Sequence, residues 1–313
     1  MRGMQNTKKT IIIIGLILFL VSYIYVMLPS VISWGPGSNY KNYSVHTTVN
    51  VTQAYPEILN ITCNNRTAVT LSAGSTQTIT CAVSIRDYNG GNDINTTNAT
   101  FYYYLNQSTD PNDNNTHYVN TSCTNGTVNG YNVTWNCSFD AWYYANNGTW
   151  RANITVMDKY NLTAKSYTNF TISALYALNV TNIIDFGSMA VGDTSINSVQ
   201  ANITNFGNVN INVSVYGFGG ESDVTGSGYA MLCDIRNISL HNERYALSSA
   251  TAYDTMTSVT GSYVPISGLI VQQQTDDTQP VINSTYWRLH VNVTNNPFGI
   301  CNGTVIFSAS SAT

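Results

Sequence analysis

Apolar and polar residues alternate along most of the chain after residue 44, a period-two pattern typical of β-strands with one buried face. Such segments, many rich in β-branched and aromatic residues, predict strands at 49–52, 76–85, 98–105, 131–139, 150–157, 197–204, 209–216, 285–293 and 303–307. Turn signals separate them at Asn89-Gly90, Asp110-Pro111, Asn147-Gly148, Phe206-Gly207-Asn208 and Asn296-Pro297. Because the strands are short and regularly interrupted, and no helical period competes with them, the pattern predicts an all-β protein built from β-sandwiches.

The first 29 residues differ from the rest. Arg2, Lys8 and Lys9 precede an uncharged run at 11–28, which stops at Pro29. This run is longer than a signal-peptide core and close to the roughly 20 residues that cross a bilayer. It predicts an N-terminal transmembrane helix at 1–29, with its basic end inside the cell and the body outside the cell membrane. Cleavage of a signal before residue 34 and a pilin-type leader cut after residue 3 are the alternatives.

The remaining chain is expected to form three parts. Residues 30–43 are a stalk, 44–173 a first sandwich and 174–313 a second sandwich. The length allows two domains of ordinary size.

The composition places this body outside the cell. Of 313 residues, 43% are hydrophobic but only 9% are charged, whereas ordinary soluble domains carry about 25% charged residues. A net charge of −4 with 12 Lys and Arg leaves no basic surface for nucleic acid. Asn, Ser, Thr and 22 Tyr supply the polarity instead.

Six cysteines fit that compartment, because an even number in an exported chain predicts disulfides. No two have the C-x-x-C spacing of zinc sites. Cys63 and Cys81 lie symmetrically about a turn at 72–74, and Cys123 and Cys137 flank the hairpin signal at 129–130. These four can pair in three ways, of which the local pairing is one. Two cysteines remain for each other in the C-terminal half, namely Cys233 and Cys301.

The most frequent motif is the N-glycosylation sequon Asn-x-Ser/Thr, which occurs roughly two dozen times, more than twice the number expected from composition. Part of the excess arises because a strand with alternating polar and apolar residues and an outward polar face produces Asn-x-Ser/Thr by itself. Sequons of this origin can also be glycosylated, because they lie on the exposed face of the strand. The predicted acceptors include Asn42, Asn50, Asn60, Asn98, Asn132, Asn153, Asn202, Asn237 and Asn292.

The first half resembles the immunoglobulin-like modules of archaeal surface proteins. The resemblance rests on VNVTQAYPEI, TITCAVSIRDYNGGNDI, YYANNGTW and ANITVMDKYNLTAKSYTNFTI, which give a strand ending in Asp, a Gly-rich loop, a Tyr-rich corner and a final hairpin. It implies an immunoglobulin-like sandwich at 44–173. Cys81 would lie on the B strand, but the F strand at 153–157 has no cysteine, so the usual inter-sheet bridge is absent.

The second half, from IIDFGSMAVGDTSINSVQANITNFGNVNINVSVYG onward, resembles the Hydin-like immunoglobulin-type domains. The closing run TYWRLHVNVTNNPFGICNGTVIF resembles the last strands of repeated archaeal envelope proteins. Both resemblances imply structural or adhesive display and carry no catalytic motif. The predicted fold class is therefore two immunoglobulin-like β-sandwich domains after an N-terminal transmembrane helix.

A calcium site is the best candidate for chemistry. Asp87, Asn89, Asn92 and Asp93 follow the B strand, and Asp158 ends the F strand. In an immunoglobulin sandwich the B–C and F–G loops leave the same end, so Asp87 and Asp158 are expected to converge. Closely spaced carboxylate and amide oxygens are the ligands that Ca²⁺ requires. The alternative is that these residues only cap turns, as Asp and Asn commonly do.

Two other features suggest partners. Tyrosines at 102–104 and 143–144 put rings on both faces of their strands, so some are expected to be exposed. We expect these rings to lie under the protein's own glycans, and the alternative is that they contact sugars or partner proteins. A further acidic loop, with Asp110, Asn112 and Asp113, is interpreted as a turn. Residues 44–52 are expected to form the first strand of their own sandwich, with donation to a neighbouring subunit as the alternative.

Nothing in the chain predicts an enzyme. His46, His117, His241 and His290 stand in no metal or catalytic motif, and no nucleophile elbow or phosphate loop occurs. The sequence thus predicts a membrane-anchored, N-glycosylated structural or envelope protein without a cofactor, except a possible structural calcium. The alternatives are an adhesin for glycan or protein and a filament subunit assembled by strand donation.

Overall fold

The structure is a computed structural model that describes residues 44–222, 228–275 and 279–312. The predicted anchor at 1–29, the stalk at 30–43 and the acceptor Asn42 lie outside these residues. Within the described ranges, no helix is long and apolar enough to cross a membrane.

The all-β prediction is confirmed, because the described residues form eighteen strands, all paired antiparallel, and four short 3₁₀ helices. The strands are β1 (Glu57–Cys63), β2 (Thr76–Arg86), β3 (Ile94–Tyr103), β4 (His117–Asn120), β5 (Thr124–Asn129), β6 (Asn132–Trp142), β7 (Gly148–Asp158), β8 (Thr163–Ile172), β9 (Leu178–Val180), β10 (Val199–Asn205), β11 (Ile211–Gly219), β12 (Tyr229–Ile235), β13 (Asn237–Ser239), β14 (Glu243–Ala246), β15 (Thr257–Ser258), β16 (Val264–Val271), β17 (Ile282–Leu289) and β18 (Phe298–Ser311). The 3₁₀ helices are Asn64–Arg66, Gly91–Asp93, Leu240–Asn242 and Tyr253–Thr255.

The first eight strands form a sandwich with immunoglobulin strand order. One sheet runs β1-β2-β6-β5 and the other β4-β3-β7-β8. These orders correspond to A-B-E-D and C′-C-F-G. Along β7, buried residues alternate with partly exposed ones, so that Trp150, Ile154 and Val156 enter the core while Arg151 and Thr155 face outward. Phe101 stacks on Phe139 across the core, at 4.1 Å between ring centroids.

The later strands enclose a second core. One sheet runs β15-β14-β17-β10-β9, and the other runs β13-β12-β18-β11-β16. The fourteen residues of β18 pair with β11 along one edge and with β12 along the other. Both sheets contribute to one apolar cluster, with Ile203 from the first sheet, Val213 from the second and the fully buried Trp287 between them.

The four N-terminal cysteines form one row across the first sheet. Cys63 pairs with Cys81 in register, Cys81 lies opposite Cys137, and Cys137 bonds to Cys123. The structure therefore has the local pairing. It also joins Cys233 to Cys301, which face each other on β12 and β18. Two of the bonds join directly opposed residues of neighbouring strands, whose Cα atoms lie within disulfide reach in an antiparallel pair, and the third joins Cys123, the residue before β5, to Cys137 on β6.

The expectation that 49–52 forms the first strand is wrong. Residues 44–56 belong to no strand, and the side chains of Val49 and Val51 are 84% and 82% exposed. The chain enters the sheet only at β1, after Pro56, which lacks the N–H that a ladder needs. The sequence also missed the short strands β1, β4, β5, β9 and β12 to β16, most of which lack a clear alternation.

A buried asparagine connects the two cores. The side-chain nitrogen of Asn208 donates to the carbonyl oxygens of Ala145 and Ser173, each at 3.0 Å, and its Oδ1 accepts from the Leu175 N–H. Next to it, a Cβ on Gly207 would lie 2.0 Å from the Leu175 carbonyl oxygen, so only glycine permits this approach. The turn at 206–208 therefore docks onto the first sandwich.

Replacing Asn208 with alanine should lower the free energy of unfolding by about 2–4 kcal/mol, because one buried and two partly buried backbone groups lose their partner. Denaturation in urea measures this change, with Asn202→Ala on the exposed face of β10 as the matched control. A loss no larger than that of Asn202→Ala would show that the junction does not depend on this side chain.

Candidate metal centre

Three aspartates converge where the B–C and F–G loops leave the first sandwich. Asp87 directly follows β2, Asp158 is the last residue of β7, and Asp93 ends a 3₁₀ turn in the B–C loop. The Lys159 N–H donates to the Asp93 carbonyl at 2.9 Å and ties the two loops together. As a result, carboxylate oxygens from all three aspartates lie within 4.8 Å of one another.

Local turns use one oxygen of two carboxylates and leave the other for the cluster. Asp87 Oδ1 accepts from the Asn89 N–H at 2.8 Å. Asp158 Oδ1 accepts from the N–H groups of Tyr160 and Leu162, both at 2.8 Å. Turn capping therefore explains the Oδ1 atoms of Asp87 and Asp158. It does not explain their Oδ2 atoms.

The remaining oxygens are buried without a hydrogen-bond partner. Within the part of the chain that the structure describes, this is true of Oδ2 of Asp87, Asp93 and Asp158. Asp87 and Asp158 are fully buried, and Asp93 is half-buried. Burial, with the nearby charges of Asp93 and Asp158, raises the pKa of Asp87, although the Asn89 N–H lowers it. Buried carboxylates that face one another are costly unless a cation joins them.

The donor set fits a hard cation. All three unpartnered atoms are carboxylate oxygens, with no imidazole or thiolate among them, and oxygen donors are what Ca²⁺ binds. In the described ranges, no cationic side chain forms an ion pair with these three aspartates. The salt bridge found there joins Arg86 to Glu57 at 3.8 Å and does not involve the cluster.

Asn89 lies outside this set of ligands. Its Oδ1 accepts from the Ala54 N–H at 2.8 Å, so it fastens the segment before β1 to the B–C loop. The loop also lies close to the β5–β6 turn, because a Cβ on Gly91 would be 2.8 Å from the Asn132 carbonyl oxygen. Asp87 and Asp158 converge as the sequence predicted, and Asp93 completes the cluster.

The acidic loop at 110–113 and two of the histidines make local hydrogen bonds that stabilise the fold. Asp110 accepts from the Gln107 N–H, and Asp113 caps its own turn through Asn115 and Thr116. His117 is buried and lies 3.4 Å from the Ser108 carbonyl, and His290 contacts Thr194.

The tyrosines that the sequence singled out are mostly covered. Tyr102, Tyr143 and Tyr144 are buried, whereas Tyr104 is half-exposed. Tyr143 contacts Gln274 and lies beside Phe206, at 5.4 Å between rings, so it packs between the two cores. The sequence missed a group of exposed tyrosines at the loop end, Tyr88, Tyr131 and Tyr160, which are more than half exposed. The available signal was their position in the sequence, with Tyr88 next to Asp87, Tyr131 next to Asn132 and Tyr160 two residues after Asp158.

Most predicted glycosylation acceptors are accessible. Five are exposed and three half-buried: the exposed ones are Asn50, Asn60, Asn98, Asn132 and Asn202, and the half-buried ones are Asn153, Asn237 and Asn292. Their modification stays a prediction.

No protein-family model and no curated protein matches this chain. Among solved structures, it is similar to a carbohydrate-binding module of the β-sandwich superfamily, at 9% identity and a TM-score of 0.24 over 83% of this chain and 97% of the other. It is also similar to a DUF4466 family protein from Parabacteroides merdae, at 11% identity and a TM-score of 0.23 over 76% and 100%. A chain described as BspA_C_WT matches at 8% identity and a TM-score of 0.23 over 82% and 96%. Likenesses this slight carry no argument about function, and the archaeal and Hydin-like resemblances stay predictions.

Proposed function

We propose that this protein is an extracellular structural module in which a calcium ion, held by Asp87, Asp93 and Asp158, fixes the loop end of the first sandwich. The observation that carries the proposal is the set of three buried, unpartnered carboxylate oxygens within 4.8 Å of one another. Three disulfides support an oxidising location outside the cell, where calcium is abundant.

The calcium would act as a structural brace. Two ligands come from the B–C loop and one from the end of β7, so a single ion would reinforce the backbone hydrogen bond from Lys159 to Asp93 that already joins the two loops. Ca²⁺ accepts six to eight oxygens in flexible geometry, so water and further carboxylate contacts would complete its shell. The membrane anchor at 1–29 and the glycan coat belong to the same proposal, since both would hold and protect a module that has few charges.

Adding Ca²⁺ to metal-free protein should stabilise it by about 2.7 kcal/mol when the ion exceeds its Kd about 100-fold. Calorimetric titration and thermal unfolding with and without a chelator measure this effect. In Asp158→Asn, the amide oxygen can still accept from Tyr160 and Leu162, while the charge is removed. This variant should be more stable than the native protein in chelator, because like charges no longer face one another, and it should not respond to Ca²⁺.

Asp113→Asn is the matched control, because Asp113 caps a turn elsewhere in the same sandwich. It should leave the calcium response unchanged. If the native protein shows neither heat of binding nor a shift in Tm at 10 mM Ca²⁺, the calcium function is wrong.

A further inference from the structure

We propose that Tyr88 and Tyr131 form a saccharide-binding platform beside the metal centre, and that its ligand is a pyranose ring. The two tyrosines are 62% and 57% exposed, and their ring centroids are 5.9 Å apart with planes inclined by 48°. Together the two rings form a shallow, V-shaped aromatic surface. The C–H face of a pyranose is apolar and packs on such rings, which supply large contact area at low entropy cost.

The backbone under both rings is fixed by the same loop. The Asp87 N–H donates to the Tyr131 carbonyl at 2.8 Å, and the Gly91 N–H donates to the Gly130 carbonyl at 2.9 Å. Tyr88 lies between Asp87, a proposed calcium ligand, and Asn89, which accepts from Ala54. The platform therefore rests on the proposed calcium function. Such prior ordering favours binding because little freedom is lost when a ligand arrives.

Polar groups lie at the edge of the rings, where sugar hydroxyls would be. Arg86 Nη1 donates to the Tyr88 hydroxyl at 3.4 Å, and Arg86 Nε donates to Asn132 Oδ1 at 3.5 Å. The guanidinium carbon is 5.9 Å from the Tyr88 ring centroid. The surface thus offers an apolar face for the ring of a sugar, and hydrogen-bonding groups for its rim.

The neighbouring sequon makes carbohydrate the favoured ligand. Asn132 is exposed, directly follows Tyr131 and begins the sequon Asn132-Val133-Thr134. Arg86 contacts its Oδ1, whereas an N-linked sugar attaches to Nδ2, so the contact and the glycan are compatible. A pyranose can therefore come either from a glycan on Asn132 or from an external polysaccharide. The chemistry is the same, and two forms of the protein distinguish the sources.

The external source is tested with protein made in a bacterial host without N-glycosylation, by affinity electrophoresis in gels containing laminarin, yeast mannan or hydroxyethylcellulose with 5 mM Ca²⁺. We expect retardation in at least one gel and at least a tenfold loss of affinity in Tyr88→Ala/Tyr131→Ala. Tyr263→Ala is the control, because Tyr263 is also exposed and contacts another tyrosine ring, that of Tyr216 at 4.4 Å, in the second half. It should leave the retardation unchanged.

The internal source is tested with protein made in a glycosylating eukaryotic host. If the Asn132 glycan covers the platform, Asn132→Gln should lower Tm by several degrees, and this loss should disappear in the Tyr88→Ala/Tyr131→Ala background. Either result supports the platform and identifies its source. Absence of both retardation and this coupling overturns the proposal.

Calorimetric titration with Ca²⁺ separates this proposal from the proposed function. Tyr88→Ala/Tyr131→Ala should still bind Ca²⁺, because both side chains lie outside the carboxylate cluster. Calcium binding without any saccharide effect would overturn the platform alone. Saccharide binding that is unchanged in Asp158→Asn and in chelator would overturn its dependence on the ion. If the native protein binds no Ca²⁺, the proposed function fails, whatever the gels show.

Discussion

Replacing Cys233 and Cys301 together with alanine should lower the free energy of unfolding by about 4 kcal/mol, the largest loss among the three disulfides. Their sequence separation is 68 residues, whereas the separations of the two N-terminal bonds are 18 and 14. A crosslink restricts the unfolded chain more when it closes a longer loop, and the shorter loops correspond to about 3 kcal/mol each. Urea denaturation of the three double variants measures the order.

The same bond should open first under mild reduction, since Cys233 and Cys301 are half-buried whereas the other four cysteines are buried. Alkylation followed by mass spectrometry identifies the first thiols released. An equal or larger loss of stability in Cys63→Ala/Cys81→Ala would contradict the loop-length argument. Such a result would show that packing in the row of cysteines of the first sheet outweighs chain entropy.

Replacing Glu243 with glutamine should remove a large pH dependence of stability. Glu243 begins β14 and is 3% exposed, and this burial raises its pKa from 4.5 to about 8. The folded protein therefore holds a proton that the unfolded chain releases above pH 4.5. The stability that this proton contributes is fully present below that pH and is lost as the pH rises through about 8, a loss on the order of 5 kcal/mol.

Glu243→Gln should match the native protein at pH 4 and exceed its stability at pH 9, because the amide has no charge to bury. Thermal unfolding between these pH values measures the difference. Glu57→Gln, at an exposed side chain on β1, is the control and should preserve the native slope. Parallel stability curves for Glu243→Gln and the native protein would show that the Glu243 side chain does not hold the proton.

Much of the first sandwich could be predicted from its sequence. The expected strands at 76–85 and 150–157 match β2 (Thr76–Arg86) and β7 (Gly148–Asp158) closely, because each is a central strand with a full alternation of buried and exposed residues. The cysteine positions about two turns were enough to suggest the local pairs. Alternation predicted a strand wrongly at 49–52, where two valines match the strand pattern but the backbone pairs with no other strand. A pattern of side chains cannot show whether the backbone has a partner.

The candidate metal site could also be predicted only in part from the sequence. From the sequence, the order of strands and the positions of Asp87 and Asp158 sufficed to predict convergence, because B–C and F–G loops leave the same end of an immunoglobulin-like sandwich. The sequence could not show that Asn89 binds Ala54 instead of joining the cluster. Nor could it show which carboxylate oxygens lack a partner. Those facts depend on distances between loops that lie far apart along the chain.

The sequence by itself determined the all-β class, the disulfide-bonded character of the chain and the acidic composition of the loop end of its first sandwich, since these follow from local pattern and residue type. Only the tertiary structure decided that three carboxylates share one buried space and that Tyr88 and Tyr131 meet beside it. Burial and proximity arise from packing of separate strands, and the free energies of buried charges and exposed rings depend on that packing rather than on sequence spacing.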